Sequence, residues 1–226
     1  MRYGSVDREY ALRLATWPPD QDGPALMVNF LRYRERAAYT AGGDADGPVA
    51  PDGTALTGRE ADDRYAPVDV LADLGARIVF TGDVVGPDGA GERWDRVAIV
   101  RYPTRRSFIE MQRRDDFKER HVHKEAGVEF TINCTALPEG PVVGDDGGSG
   151  TVTFVLWPDG TVPAAALPSD ARLVVEGRVI GDERRWGHLT VYFGRPAPQA
   201  PPGCLTVVVA PARERLRAAI DAWPGR

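Results

Sequence analysis

The chain has 226 residues, a formal net charge of −5 at pH 7, 42% apolar residues and 27% charged residues. These values are ordinary for a soluble globular protein of one domain or two small ones, and the absence of a basic patch argues against a nucleic-acid partner. The two cysteines, Cys134 and Cys204, form no CxxC pair, so neither a disulfide framework nor a thiolate metal site is expected. No secretory signal and no apolar run of membrane length is recognisable, so we expect a cytoplasmic protein without a membrane partner.

The first half of the chain alternates between helical and strand patterns. A helix is expected from Val6 to about Ala15, with Ser5 as its cap and Trp17-Pro18-Pro19 as its stop. The later elements follow from apolar periodicity and from Gly, Pro and Asp clusters. They are a strand at Ala25–Tyr33, a loop over 40–57, a helix at Arg59–Leu74, a strand at Arg77–Val85, a turn over 87–91, a strand at Trp94–Tyr102, a helix capped by Thr104, recapped near Asp115 and ended by Gly127, and a strand at Phe130–Ala136. The order β-α-β-β-α-β is typical of a ferredoxin-like unit.

The second half partly echoes the first. Residues 171–181 repeat the pattern of residues 76–86, and Arg185-Trp186 repeats Arg93-Trp94. Further strands are expected at Thr153–Trp157 and Cys204–Ala210, and a last helix at Arg213–Trp223. We therefore divide the chain into an N-terminal domain, 1–138, a linker rich in Gly and Asp, 139–150, and a shortened second ferredoxin-like repeat, 151–226. The alternative is that two hairpins share the common alternating strand pattern.

Several blocks of the first half carry a resemblance to a known family. They are Met27-Val28-Asn29-Phe30-Leu31-Arg32-Tyr33, Gly58-Arg59-Glu60-Ala61 with Arg64-Tyr65, Trp94-Asp95-Arg96-Val97-Ala98, Tyr102-Pro103-Thr104-Arg105, Phe108-Ile109-Glu110-Met111, and Asp116-Phe117 followed by His121 to Gly127. On these blocks, residues 25–138 resemble the uncharacterised DUF1330 family of the dimeric α/β-barrel superfamily. The sequence departs from that family at Asp62 and Asp63, where an Ala-Tyr-like continuation is usual, and in its added C-terminal half.

The resemblance implies an α+β fold in which two ferredoxin-like βαββαβ sheets face each other as a barrel. The second sheet would come from a second chain in a homodimer, or from the second repeat in a pseudo-dimer within one chain. The wider superfamily includes cofactor-free monooxygenases, cyclases, lactone isomerases and haem enzymes, and the fold does not choose among them.

Asn29, His121 and His123 are the candidate catalytic residues with a direct chemical motive. Asn29 interrupts an apolar strand and could donate to a substrate oxygen, or its amide could be satisfied by the backbone. His121 and His123 lie about 200° apart around a helix, which disfavours a shared metal. We choose His123 as the general acid or base, because a last helical turn that loosens before Gly127 could turn it inward. The alternative is that the imidazoles make structural hydrogen bonds.

Other polar or aromatic side chains complete the candidate site. Tyr65 is added to the catalytic set, although a half-buried core tyrosine is the simpler interpretation. Trp94, Arg101, Met111 and Arg32 are candidate substrate contacts; Trp94 could stack on a planar molecule, and Arg101 could pair with an anionic one. Core packing or an ion pair with Glu110 would explain the same residues. No metal and no cofactor is expected.

These observations favour a small tailoring enzyme, of a kind used in bacterial secondary metabolism, that acts on an organic substrate without a cofactor. Cyclisation, isomerisation, dehydration and oxygen insertion remain open as reactions. The first alternative is a non-catalytic small-molecule-binding or scaffold protein. A further alternative is a haem protein with His121, His123 or His188 as the axial ligand.

Overall fold

The computed structural model describes residues 4–39, 48–86, 92–144, 150–161 and 169–224. It contains nine strands and six helices in these ranges. The strands are β1 Ser5–Val6, β2 Ala25–Tyr33, β3 Arg77–Val84, β4 Arg96–Tyr102, β5 Val128–Pro138, β6 Val152–Pro158, β7 Ala171–Gly181, β8 Trp186–Phe193 and β9 Leu205–Glu214. The helices are α1 Arg8–Ala15, α2 Gly58–Tyr65, α3 Val68–Asp73, α4 Arg105–Arg113, α5 Asp115–Gly127 and α6 Leu216–Asp221.

Eight of the strands form a closed antiparallel barrel. Their order is β7-β5-β2-β4-β3-β9-β6-β8, and β8 pairs again with β7 to close the ring. The strand β1 lies outside the ring, paired with the end of β7. The N-terminal half therefore supplies β2 to β5 as one arc, and the C-terminal half supplies β6 to β9 as the other. Closure leaves the eight barrel strands without a free edge.

The expected fold class of two ferredoxin-like βαββαβ repeats is wrong, as is the expected dimeric α/β barrel. The fold is mostly β. Between β8 and β9 the chain carries no helix, because Pro196, Pro201 and Pro202 interrupt a helical hydrogen-bond pattern. The described residues between β6 and β7 are also non-helical, so α6 is the only helix of the C-terminal half within the described ranges.

Side-chain alternation divides the N-terminal arc into two faces. On β2, Leu26, Val28 and Phe30 point into the barrel and pack against inward residues of β4 and β5. Met27 and Asn29, on the same strand, point outward. The inward residues, with Phe154, Leu189 and Val207 from the other arc, fill the barrel as a close-packed core. The outward face of the N-terminal arc is therefore the face on which a ligand site can form.

Helices cover that outward face. The capping box of Thr57 and Glu60 starts α2, and Thr104 caps α4. The single helix expected at Arg59–Leu74 is divided into α2 and α3, because Pro67 cannot continue the backbone pattern. The first helix begins later than expected, since Asp7 rather than Ser5 is its cap. Arg105, on α4, forms a buried ion pair with Glu176 of β7, at 2.8 Å, which ties the helical layer to the C-terminal arc.

Some sequence predictions fall outside the described residues. They are part of the loop over 40–57, the turn over 87–91, and part of the linker over 139–150. The division into domains at 138 and 151 stays a prediction, although both halves contribute strands to one barrel. Within the described ranges, no helix combines the length and the apolar character needed to cross a membrane.

Candidate functional site

A cavity of about 420 Å³ lies between the outward face of the N-terminal arc and its helices. We call it the helix-side cavity. Most of its lining is apolar and comes from β2, β3, β4, α3 and α4. These residues include Met27, Ile78, Ala98, Val100, Leu71, Phe108 and Met111, with Val179 and Ile180 from β7. Its volume and apolar lining are those of sites that bind small organic molecules, for which about 300–1,000 Å³ is usual.

The strand side of the cavity carries a pair of amides, Asn29 and Asn133. The two residues are directly opposite each other on β2 and β5, and both are buried. The Nδ2 group of Asn133 donates to Oδ1 of Asn29 over 2.8 Å. The Nδ2 group of Asn29 faces two backbone carbonyl oxygens, those of Met27 at 3.3 Å and Ala98 at 3.4 Å. We refer to this pair as the amide floor.

These contacts fix the orientation of both amides. The Asn29 nitrogen must face the two carbonyl oxygens, so its oxygen faces Asn133. The Asn133 nitrogen donates to that oxygen, and Oδ1 of Asn133 is left buried without a hydrogen-bond donor among the described residues. A buried acceptor without a partner destabilises the fold by about 1–3 kcal/mol. A hydroxyl or N–H group of a bound molecule can remove that penalty, which makes Asn133 Oδ1 an anchoring point.

The helix side of the cavity carries Tyr65, His121 and Lys124. His121 and Lys124 lie one turn apart on α5, and Tyr65 lies at the end of α2. The His121 ring stacks on Phe117 at 5.0 Å between centroids, and the Tyr65 ring meets its edge at 5.7 Å. Lys124 Nζ lies 5.2 Å from the centroid of Tyr65. A phenol, an imidazole and an amine therefore meet at one wall of an apolar cavity.

Lys124 has no carboxylate within ion-pair distance in the part of the chain that the structure describes. Burial lowers the pKa of its amine, and the Asp62 carboxylate counteracts only part of that effect. Asp62 is itself engaged elsewhere: it accepts from the Tyr33 hydroxyl at 2.6 Å and lies 3.4 Å from Arg96. Lys124 is thus held as a comparatively weak base that can lose its proton more readily than an exposed lysine.

The structure places His123 away from the cavity. The helix α5 stays regular to Gly127, so its last turn does not loosen. The Nδ1 atom of His123 lies 2.9 Å from the Tyr39 hydroxyl instead. Burial and the charge of Arg64 lower the pKa of this imidazole. The geometry therefore brings His121, rather than His123, to the other candidate residues.

The remaining sequence candidates are divided between the cavity and other places. Met111 lines the cavity, and its sulfur accepts a hydrogen bond from the Tyr102 hydroxyl at 3.2 Å. Trp94 is buried in the barrel beside Phe30 and is not a cavity residue. Arg101 stacks over Trp223 at the opposite face, 5.4 Å from its centroid. Arg32 pairs with Glu129 at 3.0 Å near the surface. Trp94, Arg101 and Arg32 therefore do not meet the other candidates.

Lys124 and Asn133 are the site residues that sequence reasoning missed. Lys124 shares one helix face with Phe117 and His121, at intervals of four and three residues. Asn133 shares its face of β5 with Thr131 and Thr135, so it does not interrupt an apolar run as Asn29 does. The signal for Lys124 was present in the sequence, whereas the one for Asn133 comes from its position opposite Asn29. Among the described residues, no group of three or more His, Cys, Asp or Glu side chains is arranged to hold a metal ion.

Comparison with known proteins gives two similar solved structures. The crystal structure of methylated RPA0582 protein is 32% identical and covers 61% of this chain and 97% of its own, with a TM-score of 0.46. A second structure, RPA0582 of unknown function from Rhodopseudomonas palustris, is 30% identical and covers 62% of this chain and 98% of its own, with the same TM-score.

No family model and no curated protein matches the chain. The expected assignment to the DUF1330 family of the dimeric α/β-barrel superfamily is wrong, because the single chain forms a closed eight-stranded barrel.

Proposed function

We propose that the helix-side cavity binds a small, mainly apolar organic molecule and that the protein catalyses a proton transfer on it, in a cyclisation, isomerisation or dehydration. One observation carries the proposal: Asn133, His121 and Lys124 line the same apolar cavity, and the buried Oδ1 of Asn133 has no hydrogen-bond donor among the described residues. An apolar cavity with a few convergent polar groups is the usual form of a small-molecule site.

The arrangement supports a division of roles. A hydroxyl of the bound molecule can donate to Asn133 Oδ1, which anchors it on the amide floor. His121 can accept or return a proton, and the positive charge of Lys124 can stabilise negative charge that develops on the substrate. Asn29 acts as a positioning residue, since both ends of its amide are already engaged. This role replaces the oxyanion contact expected from the sequence.

Binding can be tested with N-phenyl-1-naphthylamine, a neutral aromatic molecule that fluoresces in apolar surroundings. We expect one saturable site per chain. Ala98→Phe places a ring in the cavity and should abolish binding, because Ala98 is a lining residue on β4. Ala210→Phe is the matched control, since Ala210 is an exposed strand residue outside the cavity. Equal binding by wild type and Ala98→Phe would contradict the proposed site.

Proton transfer can be tested with 5-nitro-1,2-benzisoxazole, which opens its ring when a base removes one proton. We expect the protein to accelerate this opening, and His121→Phe to reduce the acceleration by about a hundredfold, the usual contribution of an acid–base group. His123→Phe is the control, because this residue lies on the same helix but outside the cavity. Saturable probe binding without any acceleration would favour the non-catalytic binding protein instead.

A further inference from the structure

Lysine is rare in this chain, and one of its lysines faces the helix-side cavity. Of the 28 basic Lys and Arg residues, only Lys118 and Lys124 are lysine. Lys118 is exposed and pairs with Asp115 at 2.8 Å. Arginine makes nearly all of the other ion pairs in the described ranges. Arginine holds its proton at every pH that proteins experience, whereas lysine can release it and become a nucleophile.

The surroundings of Lys124 suit a nucleophilic amine. Its Nζ atom lies beside the Tyr65 ring, 5.2 Å from the centroid, and has no carboxylate partner among the described residues. Burial lowers the pKa of the amine, so a larger share of it is neutral near pH 7 than for an exposed lysine. A lysine desolvated in an apolar cavity is the usual setting for attack on a carbonyl carbon.

We infer that Lys124 is a carbonyl-reactive amine, and that the molecule bound in the helix-side cavity is an aldehyde or ketone held there as a Schiff base. The neutral amine adds to the carbonyl carbon and gives a carbinolamine. Loss of one water molecule then forms the C=N bond, and a proton gives the iminium ion. Water reverses the reaction, so no oxidant or reductant takes part.

The inference rests on the proposed function and deepens it. The iminium ion supplies the positive charge that draws electrons from the neighbouring C–H bond, which makes removal of that proton by His121 easier. The oxygen that leaves as water begins within the cavity, where the phenol of Tyr65 can donate a proton to it. The amide floor then holds a second polar group of the substrate.

The test is reductive trapping with 2-naphthaldehyde, with sodium cyanoborohydride as the reductant, on the wild-type protein. Peptide mass spectrometry compares labelling of Lys124 with that of Lys118, the internal control. We expect Lys124 to be labelled roughly tenfold faster or more, because the cavity orients the aldehyde against the amine. Excess 1-phenylbutane-1,3-dione, which an amine converts to an absorbing enaminone with loss of water, should slow labelling of Lys124 alone.

Two variants distinguish the reactivity of the Lys124 amine from the effect of its positive charge. Lys124→Arg keeps the positive charge but should form no enaminone, whereas Lys118→Met, at an exposed residue outside the cavity, should bind N-phenyl-1-naphthylamine and form the enaminone normally. Wild-type protein that binds the naphthylamine but labels Lys124 no faster than Lys118 would overturn the inference and leave the proposed function standing. Enaminone formation by Lys124→Arg would also overturn it. Failure of the naphthylamine to bind at all would remove the proposed function and this inference together.

Discussion

The crossing of α2 and α5 is made by two glycines, and it determines where His121 and Lys124 lie. A Cβ atom added at Gly127 would overlap the carbonyl oxygen of Gly58 and lie 3.1 Å from both the Ala61 Cβ and the Asp62 nitrogen. Since an ordinary C···O contact is about 3.3 Å or longer, α5 must move away from the Gly58 carbonyl oxygen on α2 by roughly 1 Å. The obstacle is backbone, so no side-chain rotation can relieve it.

The free energy of unfolding of Gly127→Ala follows from two opposing effects. Overpacking destabilises by about 1–3 kcal/mol and occasionally more, and a rigid backbone obstacle belongs at the upper end. The higher helix propensity of alanine offsets up to about 1 kcal/mol of this destabilisation. The hydrogen bond from the Arg34 N–H to the Gly127 oxygen, at 2.9 Å, is also disturbed. We therefore expect a net loss of about 2 kcal/mol or more.

Urea denaturation followed by circular dichroism measures this loss as a lower midpoint with an unchanged slope. Gly140→Ala is the matched control, because nothing lies within 4 Å of its added Cβ. A displacement of about 1 Å in a catalytic group lowers a rate by about a hundredfold, so ring opening of the benzisoxazole by Gly127→Ala should fall by a similar factor in the folded variant. A variant as stable and as active as Gly140→Ala would refute the close crossing.

Three further predictions follow from buried polar groups. Glu176→Ala leaves the buried Arg105 guanidinium with Asp22, 3.7 Å away, as its remaining ion-pair partner, and should lower the unfolding free energy by roughly 2 kcal/mol in urea titrations. Burial lowers the pKa of Lys124, so the folded state binds the proton of this amine less tightly than the unfolded state does. The buried lysine therefore lowers the free energy of unfolding at neutral pH, and this destabilisation disappears as the pH rises above the ordinary lysine pKa of 10.5. Lys124→Met should therefore be more stable than wild type at pH 7, with a gain that shrinks as pH approaches 10.5 in thermal scans; a constant gain would contradict this. Asn133→Leu should weaken binding of a hydroxylated naphthalene more than that of the naphthylamine, measured by fluorescence titration, whereas His123→Ala should change neither.

Strand positions could be predicted from the sequence, but the way the strands close could not. Ala25–Tyr33 is a strand as predicted, and the other barrel strands lie close to the segments where the sequence predicts strands, whereas β1 falls where a helix start was expected. Alternating apolar residues mark a strand with one buried face equally in an open sheet and in a closed barrel. Closure depends on pairing between distant segments, such as Phe80 with Glu214 and Asn133 with Ile180. No local pattern encodes those partners.

The candidate site was predictable where a polar residue interrupts an apolar element. Asn29 interrupts an apolar strand, and it lines the same cavity as His121 and Tyr65. His123 was favoured over His121 on the expectation of a loosened helix end, which a regular α5 does not provide. The role of Asn133 depends on which amide oxygen remains unused, and that follows only from the cross-strand register.

A crystal structure of the protein with N-phenyl-1-naphthylamine bound would test the central claim most directly. We expect the aromatic rings to lie between α5 and the outward face of β2 and β4, in contact with Ala98 and Met111, with a polar atom near Asn133 Oδ1 or Lys124 Nζ. The probe bound elsewhere on the protein, with the helix-side cavity closed by its own side chains, would contradict it.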